Sequence, residues 1–224
     1  MIHELRTPMT SITGYAEMLQ DEQLGELTDA QHRVLDAIDR NSERLTVLAN
    51  DLLALARLDQ GPVLLDHLDV DLGSVVLDAR TALQALIDDR ALTVTFEVPD
   101  TPLVIQGDAQ HLERMVANLL TNALKFTEDG GWVRCTLTRV ADRALLEVSD
   151  NGIGIPEAEQ GELFTRFFRS SSGRERAPGS GLGLNIVQSI AHNHGGTVAF
   201  TSSDGGGSTF VVDLPVDLPV DLPH

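Results

Sequence analysis

Apolar residues recur at heptad-like spacing in two segments between Leu5 and Leu55. They step by four and three residues, and the members are Leu5, Met9, Ile12, Ala16 and Leu19, then Leu45, Leu48, Leu52 and Leu55. This spacing predicts two helices, each with a narrow apolar stripe. The polar segment from Asp21 to Thr28 contains a glycine and predicts the turn of an antiparallel hairpin. Such stripes are poorly buried within one hairpin, so the pattern favours a homodimer in which four helices form a bundle. The alternative is that the hairpin packs on the rest of its own chain.

The remaining sequence predicts a mixed helix and strand domain. Helices are expected at about 71–89, from an N-cap at Asp108 through Leu124, and at 182–194. Strands are expected at 92–98, 103–106, 132–140, 144–149, 197–201 and 208–214. Strands in antiparallel hairpins with helices on one face make an α+β two-layer sandwich.

Two breaks divide the chain into three parts. Gly61 and Pro62 end the helical region, so we place the hairpin at residues 1–62 and the second domain at 63–215. Residues 216–224 continue a Val-Asp-Leu-Pro repeat whose prolines prevent a helix or a sheet, and we expect a disordered tail.

Composition excludes several classes of partner. A net charge of −18 argues against binding to nucleic acid or to an anionic membrane surface, which needs clustered Lys and Arg. No apolar run reaches the length of a membrane span. Cys135 is the single cysteine, so an intrachain disulfide is impossible and a reducing, cytosolic compartment fits.

The hexapeptide HELRTP, from His3 to Pro8, is the first motif with chemical potential. His3 lies off the apolar stripe and is expected to face solvent, where a neutral imidazole is a nucleophile. Glu4 can accept the ring N–H and raise the basicity of the attacking nitrogen. An isolated His-Glu pair is more often a solvated helix face, whereas the whole hexapeptide is far rarer.

A polar stripe marks the segment NLLTNALKFT. Asn118, Asn122 and Lys125 are spaced i, i+4 and i+7 on an otherwise apolar helix. Amide oxygens suit Mg²⁺, which accompanies a triphosphate, and a lysine would answer the phosphate charge. Lys125 is the only lysine among 16 basic residues. The alternative is a solvated face whose asparagines make local hydrogen bonds.

Two glycine-rich motifs complete the set. In DNGIGIP, Asp150 can accept a hydrogen bond from the exocyclic amine of adenine, and the glycines would let the backbone approach a flat ring. In GSGLGL, from Gly179 to Leu184, a glycine-rich turn enters a helix and can bind phosphate through free backbone N–H groups. Residues 157–178, between the motifs, predict a mobile lid with an aromatic anchor at Phe164, Phe167 and Phe168.

Together, in this order, the motifs resemble those of the sensor histidine kinases. HELRTP resembles their H box, NLLTNALKFT their N box, DNGIGIP their G1 box, FTRFFR their F box and GSGLGL their G2 box. The resemblance covers about residues 1–214. It implies a dimerisation and phosphoacceptor hairpin followed by an ATP-binding domain of the Bergerat fold.

The resemblance also implies residue roles. His3 would be the phosphoacceptor and Glu4 its base, while Thr7 would assist dephosphorylation of the partner. Asn122 would be the Mg²⁺ ligand, with Asn118 assisting. The implied ATP-binding set is Asn118, Asn122, Lys125, Asp150, Gly152, Gly154, Phe164, Arg166, Arg169, Gly179, Gly181, Leu182 and Gly183.

The implied activity is ATP-dependent autophosphorylation of His3, followed by transfer to an aspartate of a response regulator receiver domain. Only two residues precede His3, so we expect the chain to be the cytoplasmic portion of a longer, membrane-anchored sensor. One rival is an ATP hydrolase or clamp of the gyrase and chaperone type, against which HELRTP argues. A second is a non-catalytic dimer scaffold, against which the intact nucleotide motifs argue.

Overall fold

A computed structural model describes residues 2–21, 25–58, 68–171, 173 and 179–216 of the chain. Two long helices form the N-terminal hairpin, α1 (Ile2–Gln20) and α2 (Asp29–Leu58). A capping box begins α2: the Thr28 N–H donates to Gln31 Oε1 at 2.8 Å, and Thr28 Oγ1 accepts the Gln31 N–H at 3.4 Å. Near the loop, Gln20 Nε2 donates to Asp39 Oδ2 at 2.6 Å and ties the helices together.

The second region contains five helices and seven strands within the described residues. The helices are α3 (Leu72–Ala82), α4 (Gln84–Asp88), α5 (Ala109–Phe126), α6 (Glu157–Gln160) and α7 (Gly183–Asn193). The strands are β1 (Leu68–Asp71), β2 (Thr93–Glu97), β3 (Val104–Gly107), β4 (Trp132–Val140), β5 (Arg143–Asp150), β6 (Thr197–Ser202) and β7 (Ser208–Pro215). The helix expected at about 71–89 is interrupted at Leu83, which separates α3 from α4.

Five strands form one sheet in the order β2-β4-β5-β7-β6. The predicted β4–β5 hairpin is confirmed, and both β5–β7 and β6–β7 are antiparallel. The expectation of antiparallel pairing throughout is wrong at one edge, where β2 runs parallel to β4 from Thr93 beside Trp132 to Glu97 beside Thr136. Parallel neighbours need a crossover connection, and here the chain between them carries β3 and α5.

A second, two-stranded sheet lies outside the first. Strand β3 pairs antiparallel with β1, a strand that the sequence analysis did not predict. Asp71 connects this ribbon to the next helix, because its Oδ1 accepts N–H groups from both Gly73, at 3.1 Å, and Leu103, at 2.9 Å. Burial by itself would raise the pKa of Asp71, but the hydrogen bonds from Leu103, Ser74 and Gly73 together outweigh it, so the pKa is lowered.

One apolar core joins the sheet to the helices. Strand β4 contributes Val133, Cys135 and Leu137 from alternate positions, as a half-buried strand requires. Helix α5 contributes a stripe of buried side chains, namely Leu112, Met115, Val116, Leu119, Leu120, Ala123 and Leu124. The α+β sandwich following a helical hairpin is therefore confirmed.

The leucine stripe of α2 is divided between two surfaces. Leu45 and Leu52 are 55% and 47% exposed. Leu55 is buried in the core of the second region, and Leu48 packs against that core. The prediction that all four leucines lie in one intersubunit seam is therefore wrong for Leu48 and Leu55. For the last turns of α2, the alternative of packing on the same chain is correct.

No helix among the described residues is both long enough and apolar enough to span a membrane. The tail expected from residue 216 lies outside the described residues except for Val216, which is buried and donates its N–H to the Asp142 carbonyl at 2.8 Å.

Candidate active site

A cleft of about 320 Å³ lies between α5, the segment after β5 and the start of α7. Of the residues named from the sequence, its lining contains Asn118, Asn122, Lys125, Asp150, Gly154, Arg169, Gly179, Gly181 and Gly183. Residues from four separate motifs therefore meet in one concave site, as a ligand pocket requires.

Asp150 closes the turn after β5 and still has one oxygen available. Its side chain is buried, and Oδ1 accepts the N–H groups of Gly152 at 2.9 Å and Ser208 at 3.3 Å. No donor among the described residues reaches Oδ2. Burial raises the pKa of Asp150, and the two hydrogen bonds partly offset that rise. The carboxylate can therefore accept one further hydrogen bond from a ligand in the cleft.

The glycines of DNGIGIP are required by the protein's own packing. A Cβ on Gly154, whose φ is +65°, would collide with the carbonyl oxygen of Ser203, and a Cβ on Gly152 would collide with that of Phe126. Gly154 lines the cleft and Gly152 does not. The pattern thus identified a segment that lines the cleft at Gly154, but these contacts do not show the expected reason for the glycines, approach of the backbone to a flat ring.

Two asparagine amides on α5 face the start of α7. A Cβ built on Gly183 would lie 3.5 Å from Asn118 Oδ1 and 3.9 Å from Asn122 Nδ2. The Asn118 amide also has a buried Nδ2 with no hydrogen-bond partner in the part of the chain that the structure describes. Because an unpaired buried amide is costly, this group fits a ligand that supplies the missing partner.

The GSGLGL turn is held by the segment that precedes it. The Phe167 N–H donates to the Gly181 carbonyl at 3.0 Å. Gly181 has a φ of +71°, and a Cβ there would lie 2.7 Å from the carbonyl carbon of Phe167. Ser180 Oγ accepts the N–H of Leu182 at 3.2 Å, while α7 begins without a side-chain cap. Free N–H groups at such a helix start attract anions.

Four residues of the implied ATP-binding set, Gly152, Phe164, Arg166 and Leu182, lie outside the lining of this cleft. The Phe164 ring packs edge-on against Phe200 with centroids 5.8 Å apart, as the predicted aromatic anchor would. Leu182 is fully buried in the core, and Arg166 is exposed. Phe167 is 58% exposed and does not serve as an anchor in this arrangement, whereas Phe168 lines the cleft.

The phosphoacceptor motif is described only by its backbone. His3, Glu4 and Thr7 lie in α1, and their side chains are outside the described residues. Of the lid segment at 157–178, residues 172 and 174–178 are outside them too. The roles expected of these residues stay predictions.

Sequence reasoning missed two lining residues that come from the hairpin, Val47 and Asp51. Arg114 Nη2 donates to Asp51 Oδ1 at 2.7 Å, and Ser180 Oγ donates to Asp51 Oδ2 at 2.7 Å. The available signal was an acidic side chain inside the apolar run from Leu48 to Leu55. Ser208 was also missed, because it contributes through its backbone N–H.

Comparison with known proteins gives two family matches. Residues 107–218 match the model described as "Histidine kinase-, DNA gyrase B-, and HSP90-like ATPase". Residues 1–61 match the "His Kinase A (phospho-acceptor) domain".

Curated relatives match almost the whole chain. The circadian input-output histidine kinase CikA of Synechococcus elongatus is 37% identical over 218 residues, which cover 96% of this chain and 29% of that protein. The probable sensor histidine kinase TcrY of Mycobacterium tuberculosis is 40% identical over 215 residues, which cover 96% of this chain and 44% of that protein. The chain therefore spans less than half the length of these relatives.

Two solved histidine kinase structures are similar to this chain in fold. Full-length ShkA in complex with AMPPNP has a TM-score of 0.77 at 26% identity, over 96% of this chain and 44% of that one. The mycobacterial sensor histidine kinase MprB has a TM-score of 0.59 at 35% identity, over 66% of this chain and 98% of that one.

The sheet, the cleft and the first family match define the class of protein, an ATP-binding domain of the kind shared by histidine kinases, gyrase B and HSP90. The second family match covers the N-terminal hairpin, which an ATP hydrolase or clamp of the gyrase and chaperone type would not explain. The chain belongs to the sensor histidine kinase family.

Proposed function

We propose that this chain transfers the γ-phosphoryl group of ATP to His3 and then to an aspartate of a response regulator receiver domain. The observation that supports this most is the cleft itself. It has an acceptor at Asp150 on one side, and on the other it has the amides of Asn118 and Asn122 facing the start of α7. A nucleotide has matching ends, a base that donates hydrogen bonds and a chain of anionic phosphates.

Adenine recognition is assigned to Asp150. Its Oδ2 accepts the exocyclic amine of adenine, whereas guanine would present a carbonyl oxygen to the same carboxylate and be repelled. The phosphates extend toward the first turn of α7, where Gly181 and Gly183 line the cleft. Lys125 and Arg169 also line it and supply positive charge. Arg166 is proposed to approach the phosphates through movement of the lid.

Asn122 is proposed to hold Mg²⁺ through its amide oxygen, with Asn118 assisting. The amide oxygens of both asparagines suit a hard cation, and the Asn118 Nδ2, which has no partner among the described residues, can donate a hydrogen bond to a phosphate oxygen. When bound, the ion neutralises charge on the phosphate oxygens.

Phosphoryl transfer is an in-line displacement. A ring nitrogen of His3 bonds to the γ-phosphorus as the bond to the bridging oxygen breaks, and ADP leaves. Glu4 accepts the proton of the other ring nitrogen and keeps the attacking nitrogen basic. Rate acceleration comes mainly from positioning and charge neutralisation. Thr7 is proposed to assist dephosphorylation of the regulator.

Assembly is proposed to occur through the hairpin, residues 1–62, with the ATP-binding domain at 63–215. Exposed apolar side chains on both helices support a homodimeric four-helix bundle; they are Ile12, Tyr15, Met18, Val34, Ile38, Leu45 and Leu52. We also propose that the chain is the cytoplasmic portion of a longer membrane-anchored sensor.

The test is His3→Gln with γ-labelled ATP. Unmodified protein should acquire label that is acid-labile and base-stable, whereas His3→Gln should acquire none and should bind ATP with unchanged affinity. His32→Gln, on the other helix of the hairpin, is the matched control and should label normally. Acid-labile label that persists on His3→Gln would falsify the assignment of His3.

A further inference from the structure

One carboxylate of the hairpin is bonded to two parts of the ATP-binding domain. Asp51 lies on α2 and is 9% exposed. Its Oδ1 accepts from Arg114 Nη2 on α5, and its Oδ2 accepts from Ser180 Oγ in the glycine-rich turn, both at 2.7 Å. Arg114 also donates to the Asn50 carbonyl at 3.2 Å. Both oxygens of Asp51 are therefore engaged across the boundary between hairpin and domain.

This carboxylate lies in the nucleotide cleft. Asp51 lines it together with Asn118, Ser180 and Gly181, at the end where the phosphates are proposed to bind. Ser180 donates its hydroxyl to Asp51 and accepts the N–H of Leu182, so the turn already has an anionic partner from its own chain. A triphosphate at the same turn would place further negative charge beside a nearly buried carboxylate. Like charges repel most strongly where water is excluded.

The other contacts of the docked hairpin are of a different kind. Leu55 and Leu58 are buried in the shared core, and Asn193 Nδ2 donates to the Leu58 carbonyl at 3.0 Å. These contacts carry no charge that a phosphate would oppose. The repulsion from ATP is therefore confined to the turn of α2 that carries Val47 and Asp51.

We propose that Asp51 is an interdomain latch that competes with the triphosphate for the glycine-rich turn. The latch rests on the nucleotide site proposed above. Because coupling between two equilibria is reciprocal, the latched hairpin lowers ATP affinity, and ATP releases this part of the hairpin from the domain. Movement of the phosphoacceptor hairpin relative to the ATP-binding domain thus depends on whether a triphosphate is bound.

The test compares Asp51→Asn with unmodified protein, using the full chain and calorimetry with AMPPNP, ADP and adenosine. The amide keeps the shape of the side chain and an acceptor oxygen but removes the charge. AMPPNP affinity should rise roughly five- to tenfold. ADP affinity should rise less, and adenosine affinity should not change. Asp36→Asn removes the same charge from an exposed position of α2 and should change none of the three.

A second measurement needs no variant. Hydrogen exchange of the α2 amides around Val47 to Asp51 should accelerate when AMPPNP binds, and it should not accelerate with adenosine. Equal AMPPNP affinities for Asp51→Asn and unmodified protein would overturn the latch, as would unchanged exchange. A rise of equal size for adenosine and AMPPNP would also overturn it, because it would report a change unrelated to phosphate charge. Failure of unmodified protein to bind all three ligands would instead overturn the nucleotide site, and the latch with it.

Discussion

At the scale of single residues, Asp150 combines a structural and a recognition role in one carboxylate. Its Oδ1 fixes the turn through the N–H groups of Gly152 and Ser208, while Oδ2 remains for a ligand. Burial raises the pKa of this group, so the folded protein without ligand carries an electrostatic cost when Asp150 is ionised. That cost is present above the pKa of the folded state and disappears as the pH falls through it.

Asp150→Asn should therefore separate stability from binding. The amide oxygen can still accept both N–H groups, so the ligand-free melting temperature at pH 7 should equal or exceed that of unmodified protein. The stability difference should shrink at acidic pH. ATP affinity should fall by about 1–3 kcal/mol, and discrimination against GTP should relax, because the amide can donate to guanine.

Asp150→Ala is the contrasting control. It leaves the Gly152 and Ser208 N–H groups without an acceptor and should lower stability by about 1–3 kcal/mol. Calorimetric ATP affinity that is unchanged in folded Asp150→Asn would remove Asp150 from the adenine site.

Asn122→Asp probes the proposed Mg²⁺ ligand. The substitution keeps an oxygen but adds a negative charge, which attracts the cation and repels the triphosphate. Autophosphorylation should fall, and its dependence on Mg²⁺ concentration should shift. Asn151→Asp, outside the cleft lining, is a control of the same chemistry. If the activity and the Mg²⁺ titration of Asn122→Asp both match unmodified protein, the metal role is wrong.

At the scale of elements, α2 shows how one repeat can serve two surfaces. Successive leucines alternate between exposed and packed, with Leu45 and Leu52 exposed while Leu48 and Leu55 contact the core of the ATP-binding domain. A step of three or four residues brings neighbouring members to adjacent, not identical, sides of a helix. The exposed members continue the line of Val34 and Ile38 toward the loop.

The exposed leucines, Leu45 and Leu52, should control dimerisation without affecting the ATP-binding domain. Leu45→Asp with Leu52→Asp should convert the dimer to a monomer by placing four charges in one bundle, while nucleotide affinity and the melting of the sheet domain persist. Arg40→Asp, exposed on the same helix, should remain dimeric. Sedimentation provides the measurement. A double variant that sediments with unmodified protein would show that this face is not the dimer interface.

The same elements show what sequence could predict and why the rest was hidden. Helix and strand periodicity, the Asp108 N-cap and the β4–β5 hairpin follow from local spacing, and each is present. The leucine repeat in α2 indicated that its side chains pack against another surface, but not which surface that is. Alternation along β2 likewise carries no information about strand direction, so its parallel pairing with β4 was missed. Asp51 was missed because its partners, Arg114 and Ser180, are distant in sequence.

At the scale of the whole molecule, the hairpin and the domain share one core. Leu55 and Leu58 of α2 belong to the same buried cluster as Leu112 of α5 and Ile186 of α7. The ion pair between Arg114 and Asp51 adds a polar contact beside it. Docking is therefore part of the stability of the domain, and the last turns of α2 should unfold together with it.

Leu55→Ala should weaken that shared core. Removing a buried leucine side chain typically costs about 2–5 kcal/mol, so the free energy of unfolding should fall by an amount in this range. Trp132 fluorescence reports the sheet, and far-ultraviolet circular dichroism reports the helices. The two transitions should coincide in unmodified protein and separate in Leu55→Ala. Leu77→Ala, at an exposed position of α3 outside the hairpin, is the control and should change neither transition.

The single lysine makes the site chemically addressable. Lys125 is exposed in the last turn of α5 and lines the cleft. The other basic side chains of the sequence are all arginines or histidines. Guanidinium groups stay protonated at neutral pH and resist acylation, whereas an ε-amine reacts. An acylating analogue of ATP would therefore find one lysine among these residues, positioned where the phosphates are expected. The fraction of chains acylated at Lys125 would measure occupancy of the nucleotide site directly, in unfractionated extract and without any substitution.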